Sequence, residues 1–197
     1  MKNVVKLGLA LVVFLTAFGA RANDADFTVS VKSGLGKMIN FSINNTKAHV
    51  SISKRDGEVL FEENIKAKDG KISRTYDLNA FPAGSYFLEA ENGAKVSRYE
   101  ITIDAKTAVV SQKAIAQVLK PVLTSKGGFV TVNIKDVANT PVEIKLYDEN
   151  NVELYNETFT GEANLAKRFD INKTKAEKFT FVMKYNNKMF VETVAAR

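Results

Sequence analysis

The sequence predicts an all-β protein: two tandem immunoglobulin-like antiparallel β-sandwich domains behind a cleaved signal peptide. Three observations predict it. Helix-length apolar periodicity is nearly absent after the first residues, and short runs alternating apolar with polar dominate. A diverged copy of the first half also recurs about 92 to 94 residues downstream, with "VSISKRDGEVLFEENI" over "VEIKLYDENNVELYNETF" and "SRTYDL" over "AKRFDI".

The chain opens with "MKNVVKLGLALVVFLTAFGARAN", in which a basic start, an apolar run from Leu7 to Gly19 and small residues around Arg21 make residues 1–22 an export signal cleaved after Ala22. The run is too short to span a bilayer comfortably, so no membrane span is expected after cleavage. Removing Lys2, Lys6 and Arg21 leaves 25 basic against 22 acidic residues, a formal +3. The remaining lysines are scattered among acids, a pattern that does not suit nucleic acid. With no cysteine at all, stability must come from buried cores instead of disulfides. The expected location is outside the cytoplasm, periplasmic or extracellular.

In the first domain, residues 23–105, strands are expected at 27–32, 38–43, 49–55, 58–65, 72–78, 85–91 and 95–103. Asp56-Gly57 and Asn92-Gly93 suit type I′ hairpin turns, with positive backbone angles. Phe81-Pro82-Ala83-Gly84 suits a type I turn, because Pro82 presets the second position and Gly84 closes the fourth. In the strand that follows, Tyr86, Leu88 and Ala90 share a core face, and Ser85, Phe87 and Glu89 point outward. A phase slip between Val96 and the Tyr99, Ile101, Ile103 series predicts a bulge in the last strand. Residues 106–118 are expected as a connector, where helix and strand are nearly equal readings. The second domain, residues 119–197, begins with "VLT" and "FVTVNIKD".

"VSISKRDGEVLFEENI", then "YDLNAFPAGSYFLEAENG" and a closing "EITI", resembles the β-sandwich carboxy-terminal sorting domain of the bacterial type IX secretion system. Gly57 matches its first turn, Asp77-Leu78 its "dL" step, and Gly84, Tyr86 and Phe87 its "GxYf" step. The family's opening Asn-Pro step is absent, and more than ninety residues follow a segment that the family places at the chain's end. The chain is also similar to small exported Bacteroidetes proteins that carry such sandwiches with no enzyme attached. These resemblances imply a structural or binding module, or a sorting role. Gly57, Asp77, Leu78, Pro82, Gly84, Tyr86, Asn92 and Gly93 form the structural motif.

Little in the sequence points to chemistry. His49, the only histidine, begins a strand whose core residues are Val50 and Ile52, so it points outward. Without cysteine, thiol nucleophiles are excluded, and one histidine cannot build a multi-histidine metal site. Glu62-Glu63, Asp148-Glu149 and Glu89/Glu91 supply carboxylate pairs of the kind that glycosidases use, but each lies among lysines in a strand or turn. "DENN" at 148–151 reads as a hairpin turn and lacks the spaced acids of a calcium loop. Tyr147 and Tyr155 are the candidates for a shared outward binding surface. No catalytic residue, metal or cofactor is expected. The expected function is a non-catalytic exported module that engages a protein or cell-envelope component.

Overall fold

The computed structural model describes residues 30–33, 36–67, 69–137, 140–172 and 174–196. The expected signal segment and residues 27–29 of the first expected strand lie outside them. The described residues form antiparallel sheets and contain no helix. In the N-terminal half, β1 (Ser30–Ser33), β2 (Met38–Ile43) and β5 (Ile72–Asp77) form one sheet in that order. The facing sheet runs β4 (Val59–Lys66), β3 (Lys47–Lys54), β6 (Gly84–Glu91) and β7 (Lys95–Ile103). Both β8 (Ala108–Val110) and β9 (Ala116–Leu119) pair with the remaining edge of β7.

The C-terminal half repeats this order. There β10 (Val122–Lys126), β11 (Phe129–Ile134) and β14 (Leu165–Asp170) form one sheet. The other sheet runs β13 (Glu153–Phe159), β12 (Val142–Asp148), β15 (Lys178–Tyr185) and β16 (Lys188–Ala195). In each half the fourth strand pairs with the third, whereas a constant-type immunoglobulin domain pairs it with the fifth.

Alternation explains the layering. Ile39, Phe41 and Ile43 of β2 meet Val50 and Ile52 of β3, Leu88 and Ala90 of β6, and Ile101 of β7 in one buried cluster. Each large aliphatic or aromatic side chain removed from water contributes about 1.5–3 kcal/mol. Asn40 and Ser42 point the other way, so a one-residue slip would exchange core for surface and the register is fixed. A second cluster gathers Val130, Val132, Ile144, Leu146, Phe169 and Phe181.

The turns differ from expectation in an instructive way. At Asp56-Gly57 only Gly57 has positive φ (94°), and its N–H donates to the Lys54 carbonyl, giving a type I turn followed by a left-handed residue. Asn151 (φ 59°) does the same after Asp148, and a register shift interrupts both hairpins, at Ile52/Ser53 and at Leu146/Tyr147. At Asn92-Gly93 neither residue has positive φ. The Asn92 side chain accepts from Ala94 N–H and Lys95 N–H, both at 2.8 Å, and so holds an ordinary turn closed. Gly93 is therefore not required there by backbone angle. The type I′ geometry occurs instead at Asn186-Asn187 (φ 49° and 57°), between Tyr185 and Lys188. The hydrogen-bonded turn expected at Phe81–Gly84 lies three residues earlier, where Phe81 N–H donates to the Leu78 carbonyl.

No bulge interrupts β7, which pairs with β6 in unbroken register from Gly84↔Ile103 to Glu91↔Val96. The apparent slip arises because Val96 is buried on the opposite face, in the C-terminal cluster with Val118. Residues 106–118, expected as a connector, carry β8 and most of β9. The chain doubles back along β7, with Ile101↔Val110 and then Val96↔Val118 in register. Backbone pairing with an open strand edge decides for strand what the apolar spacing of this segment left undecided.

Candidate functional site

The segment Asp77–Phe87 builds a corner. Asp77 accepts from Asn79 N–H at 2.9 Å, and Leu78 is buried with its N–H on the Lys37 carbonyl. Pro82 positions its carbonyl to receive the Tyr86 hydroxyl at 2.9 Å, and the Tyr86 ring meets Phe81 edge-on at 5.6 Å. Tyr86 is buried in the first cluster, so the motif's tyrosine braces its own turn from inside. Asp170 repeats the step by accepting from Asn172 N–H, with Ile171 buried in the place of Leu78.

Phe87 points outward, as its strand parity requires, and leads to the contact between the halves. The Arg98 guanidinium lies 5.0 Å from the Phe87 ring centre and donates to Glu89, with Nη2 at 2.7 Å and Nε at 2.8 Å. Lys188, from β16, donates to the other Glu89 oxygen. Burial alone would raise the Glu89 carboxyl, but the hydrogen bonds from Lys188 and Arg98 outweigh it and hold the group below its ordinary value. Beside this triad Val96 and Val118 pack into the C-terminal cluster, and the Tyr185 hydroxyl donates to the Leu119 carbonyl at 2.6 Å. Sequence reasoning missed this joint. Its one visible signal was the phase slip at Val96.

A second repeated arrangement closes the open side of each sheet pair. In the N-terminal half Phe61 and Tyr76 meet edge-on at 4.9 Å, and Glu63 accepts from the Tyr76 hydroxyl (3.2 Å) and from Arg74 (3.4 Å). In the C-terminal half Tyr155 meets Phe169 edge-on at 5.1 Å, and Glu157 accepts from the Tyr155 hydroxyl and pairs with Lys167 at 3.6 Å. Burial first, and the adjacent carboxylate after it, pushes both phenols up.

The expected tyrosine surface is not formed. Tyr155 stands opposite the buried Leu146 and packs on the C-terminal cluster, while Tyr147 lies on the other face with its hydroxyl on Glu153 at 3.3 Å. The register shift at Leu146/Tyr147 puts the two tyrosines on opposite faces. His49 is half-exposed and bonds Asn64 at 3.1 Å. The sequence-adjacent acids are separately engaged: Glu62 lies 3.9 Å from His49, Glu63 joins Arg74, Glu89 joins Arg98, and Glu91 joins Lys120. Asp148 spends one oxygen on Asn150 N–H and Val152 N–H, closing its turn. Among the described residues no three His, Cys, Asp or Glu side chains gather as a metal-holding group, and no helix is long and apolar enough to cross a membrane.

These features define an all-β protein of packed antiparallel sheets whose most distinctive segment is the braced corner at Tyr86. Residues 35–104, which include that corner, match the family model of the secretion system C-terminal sorting domain. No curated protein matches the chain. Among solved structures, a biofilm-associated protein BSP domain is 13% identical, over 85% of this chain and 29% of its own, with a TM-score of 0.28. A Salmonella alpha-2-macroglobulin mutant is 9% identical, over 85% of this chain and 14% of its own, with a TM-score of 0.30. The chain thus spans less than a third of either structure.

Proposed function

We propose that this is an exported, non-catalytic protein of two tandem immunoglobulin-like sandwiches. In each, the fourth strand has moved to the sheet of the third. The protein acts as a structural or binding module in the cell envelope or outside the cell. The match of residues 35–104 to a sorting domain supports export. The observation that carries the module reading is the use made of the matched motif. Tyr86 is buried with its hydroxyl on Pro82, and the neighbouring outward residues lead into a contact with the C-terminal half, so the segment works as scaffold. The recurrence of turn, bulge and rim geometry 93 to 94 residues apart supports two copies of one unit.

A second reading, a sorting or carrier protein of type IX secretion, draws on the same family match. Fractionation separates the two. In cells whose type IX outer-membrane channel is inactivated, the module reading expects the mature protein to keep its normal compartment. Accumulation in the periplasm of those cells alone would replace it with the sorting reading.

A further inference from the structure

The far edge of β7 is covered in two steps, first by β8 up to Val110↔Ile101 and then by β9 from Ala116↔Arg98. Between them residues 111–115 cross opposite Tyr99 and Glu100 alone, five residues where a continuous strand needs two. The contacts that tie the C-terminal half to β6 and β7 lie beyond this crossing. They are the β9 ladder, Lys188 on Glu89, and Lys120, whose N–H donates to the Ala94 carbonyl at 2.7 Å and whose ammonium pairs with Glu91. Val118 in the second cluster and the Tyr185 hydroxyl on Leu119 fix β9 to the C-terminal half. That half and β9 therefore dock on β7 as one body.

The hold of β9 is light. Of its residues Val118 alone is buried, Ile115 just before it is 51% exposed, and Ser97, opposite Gln117, carries a buried hydroxyl with no hydrogen-bond partner among the described residues. Few buried contacts mean that this piece opens well before either core does. Once open, the crossing from Val110 to Ala116 can reach about 20 Å, at roughly 3.3–3.6 Å per residue. In the folded chain it bridges only the stretch of β7 between Ile101 and Arg98, about 10 Å. The difference is enough to carry β9 onto the β7 of a molecule lying alongside, since adjacent strands or sheets stand about 5–10 Å apart.

We infer that the edge of β7, with Glu89, Val96 and Arg98 beside it, is an interaction surface for a second copy of this chain, two copies exchanging β9 and their C-terminal halves to form a closed dimer. Every contact of the joint is then remade between chains, with Val118 of one copy beside Val96 of the other and Lys188 on the other's Glu89. Because the contacts are the same, concentration decides: the exchanged dimer competes once the chain approaches the effective concentration set by its own crossing, on the order of 1 mM.

The chain has no cysteine, so an added pair reports which chain supplies β9. The Lys120 N–H to Ala94 carbonyl bond sets the alternation of the ladder and makes positions 97 and 117, like 95 and 119, pairs without mutual hydrogen bonds. Their Cα atoms stand about 4.5 Å apart, within the roughly 4.4–6.8 Å that a disulfide spans. Full mature chains carrying Ser97→Cys and Gln117→Cys, half of them isotope-labelled, are refolded together at about 1 mM and at about 1 µM, above and far below that effective concentration. At the higher concentration a dimer is expected in size-exclusion chromatography, with the 97–117 disulfide joining labelled to unlabelled chains. At the lower one the dimer fraction should fall at least tenfold and the disulfide should close within one chain. If that variant does not fold, Lys95→Cys with Leu119→Cys gives the same reading. Absence of a dimer at the higher concentration, or a dimer whose disulfides all lie within single chains, overturns the inference. It rests on the two-unit reading, and hydrogen exchange of the unsubstituted monomer keeps the two failures apart. Unequal protection at the Phe41 and Val132 amides with no dimer faults the exchange alone, whereas one common protection at both faults the two-unit reading beneath it.

Discussion

The two rims show the same carboxylate serving different neighbours. In the N-terminal half the phenol that reaches it stands on β5, as Tyr76, while in the C-terminal half it stands on β13, as Tyr155. The cation differs more. Arg74 is well exposed, but Lys167 is only 8% exposed, its ammonium 4.6 Å from the Phe159 ring centre and 6.0 Å from that of Tyr155. What persists is a charged pair sealing an edge-on aromatic contact. Which strand supplies the hydroxyl does not matter to that seal. The depth of the cation does, because a buried charge depends on its partner far more than an exposed one.

The largest expected effect tests the aromatic contact itself. Phe169→Ala empties a site touching both Tyr155 and Phe181 and is expected to cost about 3–5 kcal/mol in denaturant unfolding. Tyr86→Ala, in the other cluster, is expected to cost about 3 kcal/mol. A loss below about 1 kcal/mol at either position would show that the ring is not a core element.

The charge comparison comes next in size. Glu157→Gln leaves Lys167 buried without its counter-charge and is expected to cost about 1–3 kcal/mol. Glu63→Gln, beside the exposed Arg74, is expected to cost less than about 1 kcal/mol. Equal losses would erase the distinction between the rims. The hairpins give a smaller contrast. Gly57→Val forces a β-branched residue to φ 94° and should cost about 1–2 kcal/mol, whereas Gly93→Val, with ordinary φ and open space around it, should stay within about 0.5 kcal/mol. Thermal melts of the pair check this directly.

The smallest effect lies at the joint. Glu89 is held below its ordinary value in the fold, so its contribution is fully present above the unfolded pKa of about 4.3 and is lost as pH falls through the lower folded value. Glu89→Gln should therefore flatten the decline of melting temperature on the acid side of about pH 4 and leave its slope at neutral pH unchanged. An identical acid limb in both proteins would mean that Glu89 is not held by Lys188 and Arg98 in solution.

The strand β2 was legible because its alternation, with Ile39, Phe41 and Ile43 buried and Asn40 exposed, answers to one core and water. Val96 was misread because its outward face answers to the other half of the molecule, and a single strand's pattern cannot say what covers it. The register shift at Leu146/Tyr147 had the same effect on Tyr155, turning a tyrosine expected outside onto the core side. Gly93 was misread because Asn-Gly permits positive angles without requiring them. The Asn92 side chain closes the turn by another route. The Glu63/Arg74 and Glu157/Lys167 pairs were available in the aligned repeat. Their meeting across two sheets was not, because it depends on how far apart the layers stand.

The return of the chain along β7 has a mechanical consequence. Leu119 leaves the ladder beside Lys95, at the end of β7 where the C-terminal half is docked. Tension that separates the halves must first rupture the contacts of Glu89 with Lys188 and of Val96 and Val118 with the second cluster. It then peels β9 from β7 one rung at a time from Leu119↔Lys95, the weak direction for a strand pair. Residues 111–119 would pay out on the order of 30 Å of slack, at roughly 3.3–3.6 Å per residue, before load reached β8, whose Ala108 and Val110 belong to the N-terminal core. The stretch of the doubled-back segment beyond β8 is thus a fuse in series with that core, one that yields before it.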